Sequence, residues 1–280
     1  MGPLIDHVVV DVRDRMEEGA RRYRALGFTL TPLGKHSLGS ANHLAIFGRD
    51  YLELLGTDVP GGALRPDLAG FPVGLNGLVF LARGAEALQT QQQARGVPVQ
   101  GVLNFFRPVL YPDGSRADAR FNVVRLDTAA AFDGRTYWCE HLTPGHVWRP
   151  EWQNHPNGVT GIARVLLSVR DPARQAALFT RVFGPAHLSE GPDGRRVLKA
   201  GDAVVEFAPH AAVAAELGAA APDPAGRGDH MALLGLRVRD GAAAGEVLRA
   251  NGVPGVQDLG GRALRVPAAE AMNATIDFLA

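Results

Sequence analysis

The sequence predicts an α+β fold made of four repeated strand–helix–strand modules, paired so that two curved sheets each enclose an interior with helices outside. Three observations predict it. Four short apolar, β-branched runs recur along the 280 residues, at 5–14, 75–84, 162–171 and 231–240. Three of them close on the same triplet, Val12-Arg13-Asp14, Val169-Arg170-Asp171 and Val238-Arg239-Asp240. Each is followed by a helical pattern that stops at a glycine: Gly27, Gly96, Gly184 or Gly252. A fixed order repeated at intervals of tens of residues is the mark of a duplicated unit. A unit with one helix cannot cover both faces of its sheet, so pairing the units is the way to bury what remains.

Each module justifies its elements in the same order. In the first, IDHVVVDVRD reads as a strand and Met16, Ala20, Tyr23 and Leu26 stand near helical spacing. TLTPL (29–33), HLAIFG and YLELLG then offer strands. The second supplies LNGLVFLARG, the helix AEALQTQQQARG, then VLNFF, RFNVVRL and TYWCEHL. The third opens on IARVLLSVRD, and Pro172 suits the first turn of a helix carrying Phe179, Val182 and Phe183. AHLSE, RRVLKAG and AVVEFAP follow it. The fourth has MALLGLRVRD, GAAAGEVLRANG, GRALRVP and ATIDFLA. Stretches rich in Pro and Gly separate the modules at 60–74, 144–158 and 222–229. The 144–158 stretch lacks any period, so we place the boundary near 158, with one domain over 1–158 and another over 159–280.

Composition excludes several classes. Lys+Arg and Asp+Glu both total 29, so no basic field exists to grip a nucleic-acid backbone. No apolar run approaches the roughly 20 residues of a membrane span. A single cysteine, Cys139, excludes an internal disulfide framework and a Cys-rich zinc site. With no targeting signal evident, we expect a cytoplasmic protein. Phosphate-loop and nucleophile-elbow motifs are absent. Unpaired sheet edges in such small modules make a homodimer reasonable.

IDHVVVDVRD, GKHSLGSANHLAIFGRDYLELLG (34–56) and CEHLTPGHVWRPEWQNHPNG (139–158) resemble the glyoxalase-like domain branch of the vicinal oxygen chelate superfamily. That superfamily includes glyoxalase I, extradiol dioxygenases, and fosfomycin-resistance and bleomycin-binding proteins. The resemblance implies two cups, each with up to four inward side chains. In the first half the implied positions are His7, Glu53, Gly77 and Glu140. In the second they are Arg164, Glu206, Leu233 and Asp277. Because Arg164 keeps its proton and cannot ligate, the second cup is expected to be degenerate.

An imidazole and two carboxylates, His7, Glu53 and Glu140, suit a divalent cation such as Zn, Mn, Fe, Co or Ni. Gly77 offers no ligand, which disfavours a two-His, one-carboxylate iron site. Strand alternation puts Trp138 and Glu140 on one face of TYWCEHL and Cys139 and His141 on the other, so a one-residue slip would exchange Glu140 for His141. GKHSLGSANHL places His36, Ser40 and Asn42 over the cup as candidate substrate-binding groups, joined by His141, with His36 and Glu140 as candidates for proton transfer. Trp148 and Trp152 belong to a strap between the halves, and Arg107 and Arg120 are candidates to meet an anionic group. The function expected is metal-dependent lyase or isomerase chemistry on a small oxygen-rich molecule. The alternative is metal-free sequestration of a small molecule.

Overall fold

A computed structural model describes residues 2–111 and 113–280. The first half runs β1 (Ile5–Arg13), α1 (Met16–Ala25), β2 (Gly34–Lys35), β3 (Ala41–Ile46), β4 (Tyr51–Gly56), α2 (Pro66–Ala69), β5 (Gly74–Leu81), α3 (Ala85–Ala94), β6 (Leu103–Leu110), β7 (Arg116–Arg125) and β8 (Arg135–His141). The second runs β9 (Val159–Val169), α4 (Pro172–Phe183), β10 (Leu188–Glu190), β11 (Arg196–Ala200), β12 (Ala203–Pro209), α5 (His210–Leu217), β13 (His230–Val238), α6 (Gly241–Ala250), β14 (Gln257–Gly260), β15 (Ala263–Val266) and β16 (Thr275–Leu279).

Each half forms one eight-stranded mixed sheet. The orders are β2-β3-β4-β1-β5-β8-β7-β6 and β10-β11-β12-β9-β13-β16-β15-β14, the same pattern twice. The four recurring runs, β1, β5, β9 and β13, occupy the two central places of each sheet, and β1/β5 and β9/β13 pair antiparallel. The last strand of each module returns parallel to its first strand, as β4 does to β1 and β8 to β5. This is the α+β architecture of paired modules and two cups that the sequence predicts.

The period of two in β1 sorts its side chains. Val8, Val10 and Val12 join Met16, Tyr23, Leu52 and Leu54 in a core beneath the helices. Val9 packs instead with Tyr51, Leu55 and Tyr137 inside the cup. The first core is continuous between the halves, where Phe28 stacks on Phe278 and Phe80 meets Phe179.

Two segments depart from expectation. TLTPL forms no strand; Thr31 instead exchanges bonds with Leu44, its N–H donating to the Leu44 carbonyl at 2.9 Å and its hydroxyl accepting from Leu44 N–H at 2.9 Å. Pro32 has no N–H to continue a ladder, and pairing resumes at Gly34. The unforeseen helix α5 turns inward, and its Val213 and Leu217 pack on Leu166, Ala232 and Leu233 in the second cup. Arg164 pairs there with Glu206 at 2.8 Å and Glu216 at 2.6 Å, while Arg265 pairs with Asp277 at 2.8 Å. The second cup is therefore filled by its own helix and by paired charges.

Candidate functional site

The first cup holds a narrow cavity whose polar lining begins at His7 and Glu53. The β1/β4 register sets Val9 opposite Glu53 and His7 opposite Tyr51, so His7 and Glu53 stand two residues apart on one face. Both are almost fully buried, at 3% and 5% exposure, and a buried polar pair of this kind needs partners. The His7 ring stacks on Tyr51 with centroids 4.4 Å apart. Its Nδ1 lies 2.6 Å from the Asp6 carboxylate, which also receives His141 Nε2 at 3.0 Å. Burial works against the Asp6 charge, but His141 and His7 outweigh it and hold the carboxyl down at about 2. A carboxylate only accepts, so Nδ1 carries the proton and Nε2 presents its lone pair to the cavity. That Nε2 lies 3.1 Å from the Tyr137 hydroxyl and 3.6 Å from Glu53 Oε2. Burial keeps the Tyr137 phenol protonated, so the hydroxyl donates.

His36 repeats this arrangement from the other side of Glu53. Asn42 Nδ2, which can only donate, lies 3.2 Å from His36 Nε2 and 2.7 Å from Glu53 Oε1. The proton therefore sits on His36 Nδ1 and is given to Ser40 Oγ at 2.8 Å. Burial is the main reason the His36 imidazolium is disfavoured, with its pKa pushed down to about 4; Glu53 opposes this and the Arg107 and Arg65 guanidiniums reinforce it. His36 Nε2 stands 3.8 Å from Glu53 Oε1. Glu53 is thus flanked by two lone pairs. Burial opposes its charge as well, while the Asn42 amide and the Arg135 guanidinium favour it.

The donor types, two imidazoles and a carboxylate, are those a divalent cation takes. His7 Nε2 and His36 Nε2 approach different oxygens of Glu53, at 3.6 and 3.8 Å, and the three residues do not bring one donor atom each within 4.8 Å of one another, so they would have to close on an ion to hold it. Each imidazole already has its remote nitrogen fixed, by Asp6 or by Ser40, as metal-binding histidines usually do. Among the described residues, the group that does bring a donor atom each within 4.8 Å of one another is Asp6, Cys139 and His141. Asp6 is already shared by two imidazoles there, and burial pushes the Cys139 thiol well up, so this trio serves as the seat of His7.

Glu140 does not reach the cup. Its carboxylate accepts from the backbone N–H of Gly84 at 2.7 Å and Ala85 at 3.1 Å, and from Asn122 at 3.0 Å. It takes the place of a capping side chain that Gly84 lacks at the start of α3. The reason is parity without any slip: Trp138 faces the helices, so Glu140 does too, and Tyr137 and Cys139 face inward. Glu140 is therefore withdrawn both as a metal ligand and as a proton-transfer group. The fourth inward position falls to Tyr137. Gly77 pairs with Arg135 as His7 pairs with Tyr51 and Leu233 with Thr275, and two residues further lie Tyr137, Glu53 and Asp277. His141 comes to the rim, where Trp148 from the strap covers it at 4.6 Å between ring centroids.

The cavity lining also carries Arg65, Arg107, Arg125 and Arg135. Asp67 pairs with Arg65 at 2.8 Å and with Arg125 at 3.1 Å. Arg135 Nε donates to Asn76 Oδ1 at 3.0 Å. Gly34 makes room for Arg107: a Cβ there would stand 2.5 Å from its side chain and 2.6 Å from Asn42 Oδ1. Arg120, by contrast, is exposed beside Asp118.

The glyoxalase-like domain family matches residues 5–183. The chain belongs to that family. Among solved structures, this glyoxalase-like chain is similar to a hypothetical protein from Staphylococcus aureus, at a TM-score of 0.65 and 11% identity over 99% of this chain and 98% of that one. It is also similar to a mutant 4-hydroxymandelate synthase from Streptomyces coelicolor, at 0.59 and 13% over 99% and 92%. A Mn(II)-bound glyoxalase from Novosphingobium aromaticivorans follows at 0.55 and 12%, over 99% and 82%. Identities this low establish a shared fold and nothing finer. No curated protein matches the chain.

Sequence reasoning missed Asp6, Tyr137, Arg65 and Arg135. The available signal was the parity of β8: once Trp138 is given to the core, Arg135 and Tyr137 must face the cup.

Proposed function

We propose that this glyoxalase-like chain is a metal-dependent lyase or isomerase acting on a small oxygen-rich metabolite, with His7, His36 and Glu53 as the residues that hold a divalent cation. The observation that carries the proposal is the pair of imidazoles whose lone pairs flank one buried carboxylate, each fixed by a partner on its far nitrogen. The Mn(II)-bound glyoxalase among the similar folds supports a divalent ion. When bound, the cation would polarise a substrate carbonyl and ease proton removal beside it. The remaining work belongs to the chain. Tyr137 keeps its phenolic proton, held there by burial, beside His7 Nε2, and could give it to a substrate oxygen. Asn42 orients Glu53 through its amide. Leu44, Phe105 and Phe121 give the cavity apolar walls that limit water.

A metal-free binding protein is the second reading. It is favoured by the partners already present, since Tyr137 meets His7 Nε2 and Asn42 meets both His36 and Glu53. Elemental analysis separates the two. Wild-type protein loaded in turn with Zn, Mn, Fe, Co or Ni is expected to retain one of these ions through gel filtration, and His7→Ala and Glu53→Gln to lose it. Retention of none of the five by wild-type protein would exclude the metal reading.

A further inference from the structure

We infer that Arg107 and Arg135 form a binding subsite for an anionic oxygen group, a carboxylate or a phosphate, carried by a small molecule in the first cup. The inference deepens the reading above by naming the substrate class, and rests on it only for the chemistry that would follow binding.

The two side chains are buried to 2% and 7% exposure and both line the cavity. Arg107 Nη2 and Arg135 Nη2 are fully buried nitrogens with no hydrogen-bond partner among the described residues. A guanidinium keeps its charge, and burying one without a counter-charge is costly. In the second cup the chain avoids that cost: Arg164 and Arg195 share Glu206 and Glu216, and Arg265 has Asp277. In the first cup the nearest fixed acids are spent. Asp67 serves Arg65 and Arg125, and Glu53 is bound to Asn42 between two imidazoles.

Asp11 lies buried near Arg135 but makes no salt bridge with it among the described residues. Its carboxyl is bonded to Arg13 N–H and Asn76, and burial raises its pKa to about 6 against the Arg135 charge, which leaves the Arg135 Nη2 donor unspent. The two guanidiniums therefore stand over a cavity with donors unspent, and each is close enough to Glu53 to act on its charge. Planar forks with unspent N–H groups match the paired oxygens of a carboxylate or a phosphate. The walls beside them are Leu44, Leu55, Phe105, Phe121 and Val123, so the anion would carry a compact apolar body.

Calorimetric titration tests this with three probes on the full chain: benzoate, inorganic phosphate and the neutral isostere benzyl alcohol. Benzoate or phosphate is expected to bind, and benzyl alcohol to bind much more weakly. Benzoate alone would assign the site to carboxylates, and phosphate alone to phosphates. Arg107→Met and Arg135→Met are expected to weaken anion binding about ten- to hundredfold, and Arg120→Met to leave it unchanged. If a Met variant fails to fold, Arg107→Lys and Arg135→Lys decide, because each keeps the charge and loses the fork. Wild-type affinity in the Arg107 and Arg135 variants, equal binding of the neutral probe, or no binding of either anion would overturn the subsite. The titration is repeated on chelator-treated protein and on His7→Ala. Anion binding that persists in both supports the subsite whether or not the metal reading survives. Loss of anion binding there, with metal retained by wild type, overturns an arginine subsite independent of the metal.

Discussion

At the scale of single residues, the site is organised by what each imidazole does with its far nitrogen. Asp6 holds His7 and is itself held by His141, and none of the three is more than about a tenth exposed at the side chain. Asp6 is therefore a positioning residue for His7. Asp6→Asn keeps an acceptor for Nδ1 but removes the charge, and is expected to weaken metal affinity about ten- to hundredfold without unfolding the chain. Competition with a chelating dye measures it, and wild-type affinity would remove Asp6 from this role. His7 and Glu53 were legible in the sequence because a polar residue in an apolar strand stands out, and alternation put both on the face away from the helices. Asp6 was not, because a β1 irregularity between Ile5 and His7 brings it back toward the cup, and no pattern announces a bulge. Arg135 and Tyr137 were hidden by an uncertain parity in β8. Arg107 was visible as a candidate, yet only the structure distinguishes its burial from the exposure of Arg120.

At the scale of elements, Glu140 shows how an acid on the wrong face finds other work. α3 begins at a glycine with φ of 87° and no capping side chain, and its first N–H groups turn to a strand two elements away. Burial opposes the Glu140 charge, while the bonds from Asn122, Ala85 and Gly84 outweigh it and keep the carboxyl below its ordinary range. Glu140→Ala is expected to cost about 1 kcal/mol, as loss of a cap does, and to leave metal content unchanged. Denaturant unfolding beside elemental analysis reads both, and lost metal with unchanged stability would return Glu140 to the site. The central strands and main helices were all legible, because period and glycine stop agreed in each module. α5 was not, because HAAVAAEL has no polar face to give it a period, and it is apolar because it is packed into a cup.

At the scale of the whole molecule, the halves are joined by a shared core and by a few polar ties. Asp50, just before β4, accepts from Ile162 N–H on β9 at 3.0 Å. Burial raises its carboxyl from 3.8 to about 7, with the Ile162 bond and Arg237 opposing. The folded chain thus holds a proton there that the unfolded chain releases near pH 4. Its contribution to stability is complete at low pH and is lost as pH rises through roughly 4 to 7. Asp50→Asn keeps the acceptor and removes the titration. Its melting temperature is expected to exceed that of wild type by a margin that widens between pH 5 and pH 8. A constant margin would show that Asp50 ionises normally in the fold.

The filled second cup has a consequence for counting. The chain has two enclosures built to one strand order, yet Val213 and Leu217 already occupy one of them, and Arg164, Arg195 and Arg265 there have their carboxylates in place. The molecule is twofold in architecture but not in interior: the second enclosure carries its occupant as part of the covalent chain, so under the function proposed one chain would take one ligand.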